Sequence, residues 1–302
     1  MWFKNLYLFK FEKNFSLSAE ELHDELIKKP FAPCSATQRE SMGWVAPLGN
    51  STNNDQEVSF THASNNYILL TMARQERLLP TAVIREQLEE KIVEIEDKEG
   101  RKVSAREKKE LREDIEEALL PRAFTRTQKI DAWIDPRAGW LLINTPSAPR
   151  AEAFTELLRK TIGSLPVVLP DSSISPAVAM TQWLNDGALP VPFVLGNECE
   201  LKNQGEEKGT ATFKQQELTC EEVHTSLESG KTASKLSLIW DDKIQFVLTD
   251  DLQIKKLKFL DVLEEQLNDS DPQTHAEHLD IEFALMTGEV SGMLVDLMKV
   301  LN

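Results

Sequence analysis

Only three cysteines stand in 302 residues: Cys34, Cys199 and Cys220. Their odd number and wide spacing show no pairing pattern and fit reduced thiols in a cytosol. No run of about eighteen apolar residues occurs, so no membrane-spanning helix is expected. From Met1 to Lys10 the chain alternates apolar and charged residues. It lacks the apolar core and small-residue cleavage site of a signal peptide, so a cytoplasmic protein is expected. A glycine-rich phosphate loop, a paired-glycine dinucleotide fingerprint and a Gly-x-Ser-x-Gly elbow are absent. Positive charge is scarce too. Lys and Arg number 34 against 50 Asp and Glu, a net charge of -16 with a pI near 4.9. That balance argues against a generic nucleic-acid binder, whose domains are usually basic.

What is present is an ordinary globular composition, with enough chain for one large domain or two or three small ones. The acid is uneven. Residues 1–135 hold 20 Lys and Arg against 24 Asp and Glu, a net of -4, while residues 136–302 hold 14 against 26, a net of -12. If an anionic polymer binds, it must meet a local cationic surface while the acidic surface faces away.

Periodicity predicts an α+β protein of mixed antiparallel sheets and helices, with a helical hairpin projecting from the first half. Residues 2–11 alternate as a strand. Residues 18–29 predict a short helix with Ser18 as N-cap and a capping box that is only partial. Trp44-Val45 and Tyr67–Met72 read as strands flanking the polar loop Asn50–Gln56. In residues 81–119, Val83, Leu88, Ile92 and Ile95, then Leu111, Ile115, Ala118 and Leu119, recur at helical spacing. Gly100 marks a turn between two antiparallel helices. Ala132–Asp135 and Trp140–Asn144 predict a strand pair, and residues 148–162 a helix closed by Gly163. Leu165–Pro176 reads as a linker, giving regions 1–165 and 166–302. A helix at 176–186 follows, then one at 219–229 with Thr219 as cap and Glu222 completing a capping box. A meander of Ala233–Trp240, Lys243–Thr249 and Gln253–Phe259 turns first at Asp241-Asp242. Helices at 260–268 and 274–301 end the chain. The last carries an apolar stripe of Leu279, Phe283, Met286, Val290, Met293, Leu297 and Val300.

One absence is local. From Arg122 to Ile130 the chain carries Arg122, Arg126 and Lys129 and no acid, with Phe124 between the arginines. In an extended segment Arg122, Phe124 and Arg126 point to one side. Either an anionic partner docks there or acids elsewhere in the fold neutralise the edge, Glu116 and Glu117 being the nearest in sequence. Phe124 could stack on a base, pack at a dimer contact or lie in the core. In the third meander strand, alternation places Lys256 and Lys258 on one face and Lys255 with Leu257 on the other. Such a lysine row suits a phosphate backbone, or protects a sheet edge. Arg74 and Arg77 follow the strand Tyr67–Met72, either lining a channel or pairing with Glu76 nearby.

Seven motifs in order carry a family likeness: Trp2–Leu6; Phe31-Ala32-Pro33-Cys34; Met42–Pro47; Leu119–Phe124; Gly163–Val167; Lys255–Phe259; Leu285–Glu289. Together they make the chain resemble, over residues 2 to about 300, the bacterial recombination-associated RdgC family. The resemblance implies a non-enzymatic, cytoplasmic and nucleoid-associated protein that binds double-stranded DNA with little sequence preference. It implies a horseshoe-like subunit closing into a ring-shaped homodimer, and restraint of the RecA recombinase. Beside it, the residues proposed to touch DNA are Arg74, Arg77, Arg122, Arg126, Lys214, Lys256 and Lys258, with Phe124 at the ring closure. Lys214 lies in a stretch that matches a basic part of the family, but glutamines follow it here.

Enzymatic readings find little support. His275, Glu277 and His278 lack an evident third metal ligand, and Cys34 with His62 would need an unforeseen juxtaposition. No cofactor or metal is expected. The rival to DNA binding is an acidic interaction protein whose second half binds a basic partner without touching DNA. A hydrolase is the third alternative.

Overall fold

The computed structural model describes residues 2–49, 58–203, 209–260 and 274–302. The loop Asn50–Gln56 and the helix expected over 260–268 lie outside the described residues, the latter beyond Leu260. Two antiparallel sheets organise the rest, as an α+β chain requires. The first contains β1 (Tyr7–Phe11), β2 (Glu40–Val45), β3 (Thr61–Ser64), β4 (Tyr67–Leu78), β5 (Phe124–Asp135), β6 (Trp140–Ile143) and β7 (Val167–Val168). Its order is β2-β4-β5-β6-β1-β7, and β3 shares with β2 the edge of β4 that β5 leaves open. The second contains β8 (Phe193–Asn203), β9 (Thr210–Lys214), β10 (Lys231–Trp240), β11 (Ile244–Thr249) and β12 (Ile254–Phe259), ordered β12-β11-β10-β8-β9. The expected meander is its β10–β11–β12 part, and Asp241 and Asp242 make the turn at φ of 49° and 51°.

The helices among the described residues are α1 (Ala19–Leu26), α2 (Thr81–Glu99), α3 (Ala105–Leu119), α4 (Ala148–Ile162), α5 (Pro176–Asp186), α6 (Glu221–Glu228) and α7 (His275–Leu301). Two caps differ from expectation. The box on α1 is complete: Glu21 N–H donates to Ser18 Oγ at 3.1 Å and Ser18 N–H to Glu21 Oε2 at 2.8 Å. The helix ends at Leu26, ahead of Pro30, rather than at residue 29. On α6 the cap position is Cys220 with no side-chain bond, because the Thr219 hydroxyl donates instead to Glu217. The stretch read as a linker is partly built into the first sheet, since β7 pairs with β1 and Leu165 is buried.

Both faces of the first sheet are covered, and strict alternation decides what covers them. Ile68, Leu70, Met72, Ile130, Ala132, Ile134, Leu141 and Ile143 face α1 and α4 with Trp44 and Phe154. Leu69, Trp133 and Leu142 face the opposite way and join α7 and the second sheet in one core. Phe283 of α7 meets Trp133 edge-on with centroids 6.4 Å apart. Along α7, Phe283, Met286, Val290, Met293 and Leu297 of the expected stripe are buried, with Leu294 and Leu301 added. Leu279 and Val300 sit at its margin.

The two sheets are also stitched through the backbone. Leu6 and Ile254 exchange hydrogen bonds of 2.8 and 3.1 Å, and Leu257 N–H donates to Lys4 O at 2.8 Å. Immediately downstream, Tyr7 to Lys10 pair with β6. One extended segment therefore serves both sheets.

The α2–α3 hairpin leaves the first sheet at the far ends of β4 and β5. Only Ile84, Val103 and Ile115 are buried in it. Ile84, not Val83, heads the inward stripe, because Ile84, Leu88, Ile92 and Ile95 keep the 4-4-3 spacing that holds one face. Gly100 turns the chain at φ 63° and Ser104 with Glu107 caps α3 in a complete box.

Gly43 on β2 is fixed by space. A Cβ there would lie 2.4 Å from the backbone Cα of Phe31. Gly43→Ala should destabilise the fold by about 1–3 kcal/mol, the usual cost of overpacking. Thermal unfolding followed by circular dichroism checks this, and an unchanged midpoint would contradict the packing described here.

Candidate nucleic-acid interface

Strand β5 begins at Phe124, eight residues ahead of the expected strand start at Ala132, and β4 runs on to Leu78 rather than stopping at Met72. The acid-free stretch is thus one arm of a long antiparallel ribbon, in register from Ile68 opposite Ile134 to Leu78 opposite Phe124. Alternation carries the α1–α4 face outward as Met72–Ile130, Arg74–Gln128, Glu76–Arg126 and Leu78–Phe124. Phe124 and Arg126 do share a face. Arg122 does not join them as an extended residue, because it closes a 3-10 turn, Leu120–Arg122.

The predicted cations fare differently. Arg74 donates to Glu40 Oε2 of the neighbouring β2 at 2.5 Å. Arg126 is paired with its cross-strand neighbour Glu76, its Nε lying 3.0 Å from Oε1. That hydrogen bond is the main reason the Glu76 carboxyl is held below the usual carboxylate range. Glu116, one of the acids considered as a counter-ion for the arginines, is taken by Arg39 and Arg112. Arg77 is committed to carbonyls: Nη1 donates to Leu120 O and Ala123 O, both at 3.1 Å, and Nη2 to Ser35 O at 3.0 Å. This geometry makes Arg77 a brace between the hairpin base and the loop at Cys34, so it leaves the set of candidate contacts. Arg122 is exposed, with no ion pair among the described residues. Phe124 is 85% exposed, which excludes a core position within one chain. With Leu78, 41% exposed, it makes an apolar tip.

The second cationic region lies on the second sheet. Its inner face, with Leu236, Leu238, Phe246 and Leu248, packs with α5, α6 and α7. The opposite face mixes polar Lys235, Ser237, Gln245 and Thr249 with apolar Val194, Ile239 and Val247. Alternation in β12 is interrupted at Lys256, whose φ is 52° and which falls where the β11 register shifts between Gln245 and Val247. This is a β-bulge: Lys258 and Leu257 keep the opposite faces expected of them, while Lys255 moves to the Lys258 side. Lys255 lies opposite Val247 and Lys258 opposite Gln245, while Leu257 and Phe259 are buried. Lys255 and Lys258 therefore share the outer face, and Lys256 stands at the bulge. Its ammonium reaches Glu198 Oε2 at 2.6 Å. Glu198 also lies opposite Lys214 at the end of β9. Two residues along, Glu200 is surrounded by Lys235, Lys202 and Ser234. Burial opposes its ionisation, but their hydrogen bonds outweigh that and hold its carboxyl at about 2.

Two further lysines were not among the predicted contacts. Lys129 is exposed on the ribbon face opposite Arg126, and Lys4 is exposed beside β12. The signal for Lys129 was in the acid-free stretch itself. Lys4 gains its place only through the pairing of the N-terminal segment with β12. Of the histidines weighed for metal binding, His275 has a side chain outside those described, and His278 stands 3.7 Å from Glu282. Cys34 bonds Gln75, and His62 meets Asp280 of α7 at 3.0 Å, so they do not form a pair with each other. Among the described residues no three His, Cys, Asp or Glu side chains gather as metal ligands, and no helix is long and apolar enough to cross a membrane.

The surface thus carries two groups of cations, several of them paired with carboxylates, on an acidic chain. Comparison with known proteins names the likeness. A family profile described as "Putative exonuclease, RdgC" matches residues 1–302. The chain belongs to the RdgC family. Recombination-associated protein RdgC of Proteus mirabilis is 38% identical over 302 residues, covering 100% of this chain and 98% of the relative. Those of Tolumonas auensis and Aeromonas hydrophila are 41% and 40% identical over the same span and coverage. The family description speaks of an exonuclease, whereas these relatives are named for recombination.

One partly buried carboxylate sits beside this surface. Burial pushes the Asp131 carboxyl up, against the Thr71 hydroxyl, which donates to it at 2.7 Å, and the charge of Lys129. A raised folded-state value means that its contribution to stability is full below the unfolded value and lost as pH rises through the folded one. Asp131→Asn should therefore melt higher than the parent at neutral pH, with the difference closing below about pH 4. Melting curves across that range test it; a gain that ignores pH would refute the assignment.

Proposed function

We propose that this RdgC-family protein binds double-stranded DNA without sequence preference and without cutting it, as a ring-shaped homodimer that closes around the duplex. The observation that carries this reading is the outer face of the second sheet. There Lys255 and Lys258 share one face of β12, with Lys256 and Lys214 at its margins, on a chain of net charge -16. Lysine ammonium groups contact phosphates as mobile point charges and read no base edges, so affinity would come from the backbone alone. Arg126 and Arg74 on the ribbon, with Arg122 at the turn before it, supply a second contact region. Phe124 and Leu78 supply an apolar tip for closure against a second copy. By occupying duplex, such a ring limits the growth of RecA-type filaments, in keeping with the recombination named for the relatives. The nucleoid is then its place in the cell.

The test is a salt titration of binding to one duplex. Log affinity should fall linearly with log salt, and Lys258→Gln or Arg122→Gln should each lessen the slope by about one unit. Equal slopes in all variants would reject these contacts. Parent protein that ignores duplex at moderate salt would favour the acidic second half as a binder of a basic partner. Shortening of end-labelled duplex in the presence of magnesium would favour the exonuclease description.

A further inference from the structure

Three of the cations assigned to DNA are held by carboxylates of the same chain: Arg74 by Glu40, Arg126 by Glu76 and Lys256 by Glu198. The pairs occur on both sheets and between different strands, so local sequence does not force them. Each presents an anionic oxygen pair to a cation, as a phosphate does. We infer that Glu40, Glu76 and Glu198 are built-in phosphate surrogates, which compete with the DNA backbone for these cations and keep binding weak enough to be reversible. The inference rests on the DNA-binding reading above and concerns its regulation.

The energetics allow exchange. Lys256 and Arg126 have side chains 59% and 50% exposed, so their pairs are weak and screened by salt. A phosphate entering beside Lys256 takes the ammonium from Glu198, and the freed carboxylate then recruits a solution cation. That uptake offsets part of the counter-ion release that drives binding. The surrogate therefore lowers affinity and also flattens the salt dependence. Glu198 is well placed for this role because Lys214 lies opposite it across β8 and β9, so one carboxylate sits between two of the proposed contacts. Glu200 is different in kind: three donors hold its carboxyl at about 2, and it belongs to a fixed network.

The experiment measures binding of fluorescein-labelled random-sequence duplex to the full-length parent, Glu198→Gln, Lys256→Gln and the double variant over a salt series. Glu76→Gln provides an independent second case, and Glu228→Gln, on α6 at the other face of the sheet, controls for loss of a charge. The expected result is a gain of about two- to fivefold for Glu198→Gln at low salt. Its salt slope should steepen, and the gain should vanish when Lys256 is also replaced. A gain that survives without Lys256, or that Glu228→Gln matches, would show a general charge effect and overturn the proposal. Weaker binding by Glu198→Gln would make Glu198 a positioning residue and overturn it too. If the parent itself ignores duplex, the DNA-binding reading fails and takes this inference with it. If the parent binds and only the coupling is missing, the inference fails alone.

Discussion

A single extended segment that belongs to two sheets is the constraint on which the rest of this structure depends. Residues 4–6 bond to β12, and Tyr7 to Lys10 pair with β6. The carboxamide of Gln253 fastens the crossing by accepting from Leu8 N–H at 2.7 Å. Backbone groups at such a junction must all be paired, because burial without a partner is costly. The junction leaves the first sheet with two covered faces and the second with one. Helix α7 fills the space between them, with Phe283 on Trp133 and Trp240 Nε1 donating to Asp296 at 3.0 Å. The outer face of the second sheet and the free end of the β4–β5 ribbon follow from that arrangement.

Charge is then sorted by strand register. Acids and bases that lie far apart in sequence meet across β2, β4 and β5 and across β8, β9 and β12. The outcome is a chain with a large acid excess that still presents cations in two places, several of them paired directly with a carboxylate. Exposed ion pairs of this kind add little to stability. Their consequence lies in how readily the cation changes partner. Under the proposed function, this is the physical link between the fold and a contact with DNA that has to be made and broken.

Much of the architecture was legible in the sequence. The helical hairpin, the meander and the terminal helix all rest on periodicities strong enough to survive tertiary packing. Register was not legible. Nothing in Lys255-Lys256-Leu257-Lys258 announces a bulge, because lysine is uncommon at a positive φ, so strict alternation misplaces Lys255 and Lys256 while placing Lys258 and Leu257 correctly on opposite faces. The ribbon was read too short for a related reason. Thr125, Thr127 and Gln128 are polar strand residues beyond the core, where alternation of hydrophobicity disappears although the strand continues. Arg77 looked like any other arginine near an acid, and only the three-dimensional meeting of three loop carbonyls shows it as a brace. The Ser18 cap of α1 holds and its box to Glu21 is complete, whereas the cap expected at Thr219 shifts one position to Cys220, the scale at which side-chain competition decides helix ends.

The account stands or falls on whether the dimer encloses duplex. The most direct measurement compares retention on covalently closed circular and on linear duplex of the same sequence after a jump to high salt. The account predicts that protein stays on circles and runs off linear ends, and that Phe124→Asp abolishes the difference by opening the ring. Equal loss from circles and linear molecules by the parent protein would contradict enclosure.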